Sequence, residues 1–227
     1  MNSVVVADPP PGILTPEIER LMRVRNHPWA FAETCVFTLD EADKYHPIKP
    51  YPTDKEYLKW IVERILREPL VAFVKHRRMI LTWTCCMVGL WDAMFHEGRK
   101  IGFQSKKEED SDDLVRRCKF IYDNIPEDVL LVKPVAQYKY TELTFPEIDS
   151  VIKGFPQATM QHNVVVDPMR QHTLSRIFAD EIAFWPNARA SFVGMKPTLE
   201  GGGQLTLLST RYPGFFKELI EDTFDNA

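Results

Sequence analysis

The sequence predicts a three-layer α/β domain with a mostly parallel central sheet, helices on both faces and a helical, proline-rich N-terminal extension. Three observations predict it. An apolar run, Leu70 to Val74, leads through a basic turn, Lys75-His76-Arg77-Arg78, into a helical pattern from Thr84 to Phe95. A second strand, Lys100 to Gln104, is followed by a second helical pattern reaching about Asp123. Two later apolar strands, Arg176 to Ala179 and Gln204 to Leu208, end in paired carboxylates (Asp180, Glu181) and paired hydroxyls (Ser209, Thr210). Strand and helix alternating at this spacing imply right-handed βαβ units in a parallel sheet.

Residues 1 to 52 read as an arm or lid, with Pro9-Pro10-Pro11 and Pro47 to Pro52 around a helix from about Pro16 to Arg25 that carries Glu17 and Glu19 in its first turn. From Thr53, apolar Tyr57, Leu58, Ile61, Ile65 and Leu66 recur at helical spacing and stop at Pro69. Ser105-Lys106-Lys107-Glu108 fits a capping box opening the second helix. The acidic run Glu108 to Asp113 reads as a solvated face favoured by the helix dipole. From Tyr138 to Val166, β-branched and aromatic runs broken by Pro and Gly suggest hairpins at the sheet edge. Phe184 to Leu199 reads as a loop plus a short helix, Gly201-Gly202-Gly203 as a tight turn, and Gly214 to Asp222 as a last helix. Trp83, Trp91, Met87, Cys85 and Cys86 fall at core spacing on the helix after the basic turn.

With 227 residues, 44% of them hydrophobic, the chain can bury a full core. The formal net charge of −4 excludes a pervasively basic nucleic-acid binder, so any DNA contact must come from a local patch. The four cysteines form no C-x-x-C, which argues against a zinc knuckle and for reduced thiols in a cytosolic compartment. No apolar run approaches the ~20 residues that a membrane span needs.

The chemistry sits at the ends of three strands. Strand, basic turn, hydroxyl residue and helix is the arrangement that sets backbone N–H groups and a helix N-terminus against a polyphosphate. About a hundred residues downstream, Asp180 and Glu181 end an apolar strand, where one carboxylate can order Mg²⁺ and the other can activate a water. Ser209 and Thr210 can both donate to and accept from a phosphoryl oxygen or its water. In open α/β sheets ligands bind at the carboxyl ends of strands, and all three pieces end there.

The turn K-x-R-R-M-x-x-T-W, the strand S-R-I-F-A-D-E-I-A-F, the run K-P-T-L-x-G-G-G-Q-L-T-L-L-S-T and the following P-G-F-F together resemble, in order and spacing, the ATPase domain of large terminase subunits of tailed bacteriophages. The resemblance covers roughly Tyr51 to Glu221. It implies a P-loop NTPase fold of the RecA-like, ASCE kind over residues 53–227, with the family's nuclease domain outside this chain. It also implies ATP and Mg²⁺ as ligands and hydrolysis that drives double-stranded DNA into procapsids. Portal protein and the small terminase subunit are the implied partners. A homo-oligomeric ring in the assembled motor, a monomer when isolated, and a place in the host cytoplasm and at the portal vertex complete the expectation.

Carried over residue by residue, Lys75, His76, Arg77, Arg78, Met79 and Thr82 match the phosphate loop, with Thr82 at the Mg²⁺-coordinating hydroxyl. Asp180 matches the metal-organising carboxylate and Glu181 the catalytic one. Ser209 and Thr210 match the coupling motif, Arg170 a charge-neutralising arginine, and Tyr51 a base-contacting position. Leu81 stands where the family's familiar lysine would be, and Lys75 matches members that carry it at the beginning of the loop. Ile80 replaces a common glycine, so the loop must wrap phosphate without a permissive residue there.

Overall fold

Seven strands in the order β3-β11-β10-β4-β7-β6-β5 form the central sheet of the computed structural model, which describes residues 15–77, 79–127, 133–161, 164–169 and 171–221. The parallel part joins β3 (Leu70–Val74), β11 (Gln204–Ser209), β10 (Arg176–Asp180), β4 (Lys100–Ser105) and β7 (Ser150–Pro156). At the far edge β6 (Glu142–Phe145) and β5 (Gln137–Lys139) add antiparallel strands. The expected hairpins are therefore present, but β7 enters the sheet parallel to β4. A separate antiparallel pair, β8 (Thr159–Gln161) and β9 (Val164–Val166), lies outside this sheet. Because β11 lies between β3 and β10, the basic turn after β3 and the carboxylates after β10 flank the hydroxyl-ended strand.

Alternation along the strands sends side chains to two cores, which is why both faces need helices. Phe178 and Leu208 join the core under α3 (Glu56–Arg67), α4 (Leu81–Phe95) and α5 (Glu108–Asp123); Ile177, Ala179, Leu205 and Leu207 join the one under α6 (Ala188–Glu200) and α7 (Phe215–Ile220). Phe103 and Phe178 stack inside the first at 5.0 Å between centroids. Trp91, Met87, Cys85 and Cys86 are buried there as the spacing predicts, and all four cysteines are free thiols.

Residues 15–52 contribute to this first core. Thr15 caps α1 (Pro16–Asn26) by accepting from the Ile18 N–H. The next helix, α2 (Pro28–Cys35), carries no period strong enough to read from sequence, since six of its eight residues are buried. A hairpin of β1 (Phe37–Leu39) and β2 (Ile48–Pro50) follows and delivers Tyr51 to the interior.

Four local expectations need correction. Helix α4 starts three residues earlier than the pattern suggests, which puts Thr82 in its first turn. Ser105 does not cap α5: it stays paired with Pro156 as the last residue of β4, and Lys107 takes the N-cap position without a side-chain bond. The acidic run is not uniformly solvated, because Asp112 is buried, accepts from the Tyr138 hydroxyl and pairs with Arg116. Helix α6 runs through Pro197 for 13 residues. Proline cannot donate to the carbonyl four residues back, but that residue, Val193, is exposed and water can serve it.

Gly194 lets α6 approach the loop after β9 closely. A Cβ at this position would lie 1.5 Å from the Asp167 carboxylate. Gly194→Ala is expected to destabilise the fold by about 1–3 kcal/mol, read as a lower urea midpoint at unchanged m-value.

No helix among the described residues is long and apolar enough to cross a membrane.

Candidate functional site

The carboxyl ends of β3, β10 and β11 meet around one ammonium group. Lys75, the first residue after β3, is fixed through its backbone N–H to the Ser209 carbonyl at 2.9 Å. Its Nζ donates to Thr82 Oγ1 at 3.2 Å and to Asp180 Oδ1 at 3.2 Å, and lies 2.9 Å from Glu181 Oε1. Thr82 in turn donates to Asp180 Oδ2 at 3.1 Å. The Lys75 side chain is 10% exposed, Asp180 14% and Glu181 36%, so these charges interact in a partly dehydrated corner.

Glu181 is held by β11. Its Oε2 accepts from Ser209 Oγ at 3.1 Å, the Thr210 N–H at 3.2 Å and Thr210 Oγ1 at 3.4 Å. The backbone at Glu181 is left-handed (φ 54°), which turns the chain from β10 into the short helix Ile182–Phe184. Trp185 ties this turn down by donating its indole N–H to the Asp180 carbonyl at 3.0 Å.

Burial pushes the Asp180 carboxyl above its ordinary value, against the pull of Lys75. Burial acts the same way on Glu181, but Lys75 and the Ser209 and Thr210 donors outweigh it and hold that carboxyl below the usual range. Burial would lower Lys75, yet the two carboxylates prevail and its pKa is raised. The group is one fixed cation between two acids of different strength.

The phosphate loop ends in a strained residue. Ile80 is the N-cap of α4 and adopts φ 61°, a left-handed conformation that a β-branched residue rarely takes. The expectation of a loop wrapped without glycine is met by bending isoleucine itself. Ile80 offers no side-chain cap to the 15-residue helix that follows, so the helix presents its N-terminal dipole uncapped to the loop side.

Two cavities flank the loop. One, of about 820 Å³, is bounded by the β1–β2 hairpin (Thr38, Asp40, Lys49) and by Lys75, Thr82 and Trp83. The other, of about 580 Å³, is lined by Arg77, Thr210, Arg211, Tyr212 and Lys217. Lys75 and His76 border both, and Met79 borders the first. His76 is exposed and donates its N–H to the Met79 sulfur at 3.2 Å.

The structure thus brings together Lys75, Thr82, Asp180, Glu181, Ser209 and Thr210. Arg77 is exposed and sides with Thr210 rather than with Thr82. Arg78 and Arg170 lie outside the described residues. Tyr51 is misassigned as a base contact: it is 3% exposed, edge-on to Trp29, with its hydroxyl 2.7 Å from Thr84 Oγ1. Its chain position next to β2 puts it beneath the loop instead of beside a ligand. Thr84, Tyr57 and Trp185, which contact the loop or the acidic turn, carry no motif signal and are visible only in three dimensions.

Thr82 and Asp180 already converge oxygens on one cation, the donor chemistry suited to Mg²⁺. No cluster of three or more His, Cys, Asp or Glu among the described residues could hold a metal alone. A metal at this site would therefore complete its shell with phosphate oxygens and water.

No family model and no curated protein matches the sequence. The fold does match solved structures. The large terminase of bacteriophage HK97 aligns at 12% identity and a TM-score of 0.57, over 82% of this chain and 38% of that one. The large terminase ATPase domain of Thermus phage P74-26 aligns at 14% identity and a TM-score of 0.47, over 69% and 66%. The large terminase of a second thermophilic bacteriophage, in complex with ADP, aligns at 13% identity and a TM-score of 0.47, over 73% and 42%. This chain spans about two fifths of the HK97 protein's length, and what it shares with it is the P-loop NTPase-like fold.

Proposed function

We propose that this chain hydrolyses ATP with Mg²⁺ and that the hydrolysis drives double-stranded DNA translocation, with portal protein and the small terminase subunit as partners. One observation carries the hydrolase reading: Lys75 bridges Thr82, Asp180 and Glu181 at the uncapped N-terminus of α4. Packaging as the use of that hydrolysis is supported by the motif resemblance and by the fold shared with the HK97 protein.

Lys75 and the α4 N-terminus supply positive potential for the β and γ phosphates. Thr82 and Asp180 would hold Mg²⁺, which when bound offsets charge on the phosphoryl oxygens. Glu181, aimed by Ser209 and Thr210, is placed to take the proton of an attacking water. Loss of the γ-phosphate changes what Glu181 faces, and β11 carries that change outward through Thr210 and Arg211. The larger cavity gives the nucleoside room between the hairpin and α4.

Phosphate release from ATP tests the reading. Turnover is expected in Mg²⁺, stimulated by DNA and portal, and abolished by EDTA. Absence of release under all these conditions overturns the hydrolase. Release that DNA and portal leave unchanged overturns the packaging role alone.

A further inference from the structure

We infer that Tyr51 and Thr84 form a hydroxyl relay that holds Ile80 in its left-handed conformation, making both of them positioning residues for the phosphate loop. The inference rests on the reading of that loop as a phosphate cradle.

The Ile80 carbonyl accepts twice from Thr84, from its N–H at 2.9 Å and from its Oγ1 at 3.1 Å. A carbonyl can only accept, so Thr84 Oγ1 must spend its proton there and accept from Tyr51, whose hydroxyl lies 2.7 Å away. The direction is therefore Tyr51 to Thr84 to Ile80. Thr84 is fully buried and Tyr51 nearly so; burial also pushes the Tyr51 phenol far up, which keeps the donor protonated.

Tyr51 is itself anchored. Its N–H donates to the Val36 carbonyl at 2.9 Å, and its ring meets Trp29 of α2 edge-on at 6.2 Å. A second aromatic hydroxyl, from Tyr57 on α3, reaches the Met79 carbonyl one residue before the strained position, at 3.3 Å. Both hydroxyls come from residues preceding β3, so the N-terminal part of the chain fixes the loop shape that a glycine would adopt unaided.

Strain of this kind persists only where the surroundings over-determine it. Glycine at position 80 removes the strain, since it takes φ > 0 without a Cβ penalty. This makes a double-mutant cycle decisive.

Affinity is read with a methylanthraniloyl-labelled ATP and Mg²⁺. Tyr51→Phe is expected to weaken binding about fivefold, one hydrogen bond's worth. In an Ile80→Gly background the same change should cost less than about twofold. Hydrogen exchange of the nucleotide-free protein gives a readout without ligand: amides 79–84 should exchange faster in Tyr51→Phe than in wild type, while those of α6 do not. Thr84→Val should reproduce both effects, and Thr84→Ser, which keeps the hydroxyl, should show neither. Unchanged exchange in Tyr51→Phe, or an equal loss of affinity in both backgrounds, overturns the relay. If wild type binds no labelled ATP, the hydrolase reading fails and the exchange comparison still decides the relay.

Discussion

Glu181→Gln is expected to lower ATP-dependent phosphate release by about 10²–10⁴-fold while nucleotide affinity stays within about threefold of wild type. Glutamine keeps the shape and an oxygen acceptor, so the loop and Lys75 should remain in place. What it removes is the capacity to take a proton. In the nucleotide-free protein Lys75 lies 2.9 Å from Glu181 Oε1 and helps to hold that carboxyl below its ordinary pKa. A triphosphate that draws the ammonium onto its own oxygens removes that influence, so the carboxylate becomes a stronger base as substrate arrives. Ser209 and Thr210 meanwhile keep Oε2 aimed. Steady-state release and labelled-ATP titration on the same preparations check this. A glutamine variant that turns over within about threefold of wild type removes Glu181 from the role of general base.

The largest loss of stability is expected at a residue far from any nucleotide. Asp92, near the end of α4, is 3% exposed and bonds the Arg176 guanidinium Nε at 3.2 Å. It also lies 3.1 Å from both Arg99 Nε and His96 Nδ1. Arg176 completes its own set by donating to the Ile65 carbonyl at 2.9 Å. Asp92→Ala leaves the buried guanidinium without its counter-ion, for which about 3–5 kcal/mol is the expected cost. Chemical denaturation measures it, and a loss under about 1 kcal/mol would show that water re-solvates Arg176. The same carboxylate sets a pH dependence. Burial works to raise it, but His96, Arg176 and Arg99 outweigh burial, so its folded pKa is depressed. Its contribution is therefore fully present above the unfolded carboxylate value of about 3.9 and is lost as pH falls through the lower folded value. Asp92→Ala should flatten the acid limb of the stability profile in that window.

Sequence reading located the parallel sheet because its strands are short apolar runs with chemistry at their ends. Leu70 to Val74 matches β3 residue for residue, and Arg176 and Gln204 open β10 and β11 as expected. The site was legible for the same reason: Lys75, Thr82, Asp180, Glu181, Ser209 and Thr210 all follow strands. What escaped is what tertiary packing decides. Helix α2 is too buried to show a period, and Ser105 was taken by strand pairing before it could cap a helix. Tyr51 sits in sequence where a ligand contact is expected, and only the burial of β2's far end shows that it points inward. The strain at Ile80 was foreshadowed by the missing glycine, but the hydroxyls that hold it come from residues that no motif contains.

Helix α4 is fastened to one strand at both ends, with Asp92 on Arg176 where β10 begins and Thr82 on Asp180 where it finishes. Between these points α4 advances about 15 Å and β10 about 13 Å, so the two run as matched lengths. A rigid strut of this kind leaves the loop and its metal-side ligands no freedom to slide during a catalytic cycle. Movement generated by hydrolysis must leave through the element that touches the site at one end only, β11 and the Thr210–Tyr212 segment beyond it. That assigns the strut to timing and the hydroxyl-ended strand to transmission.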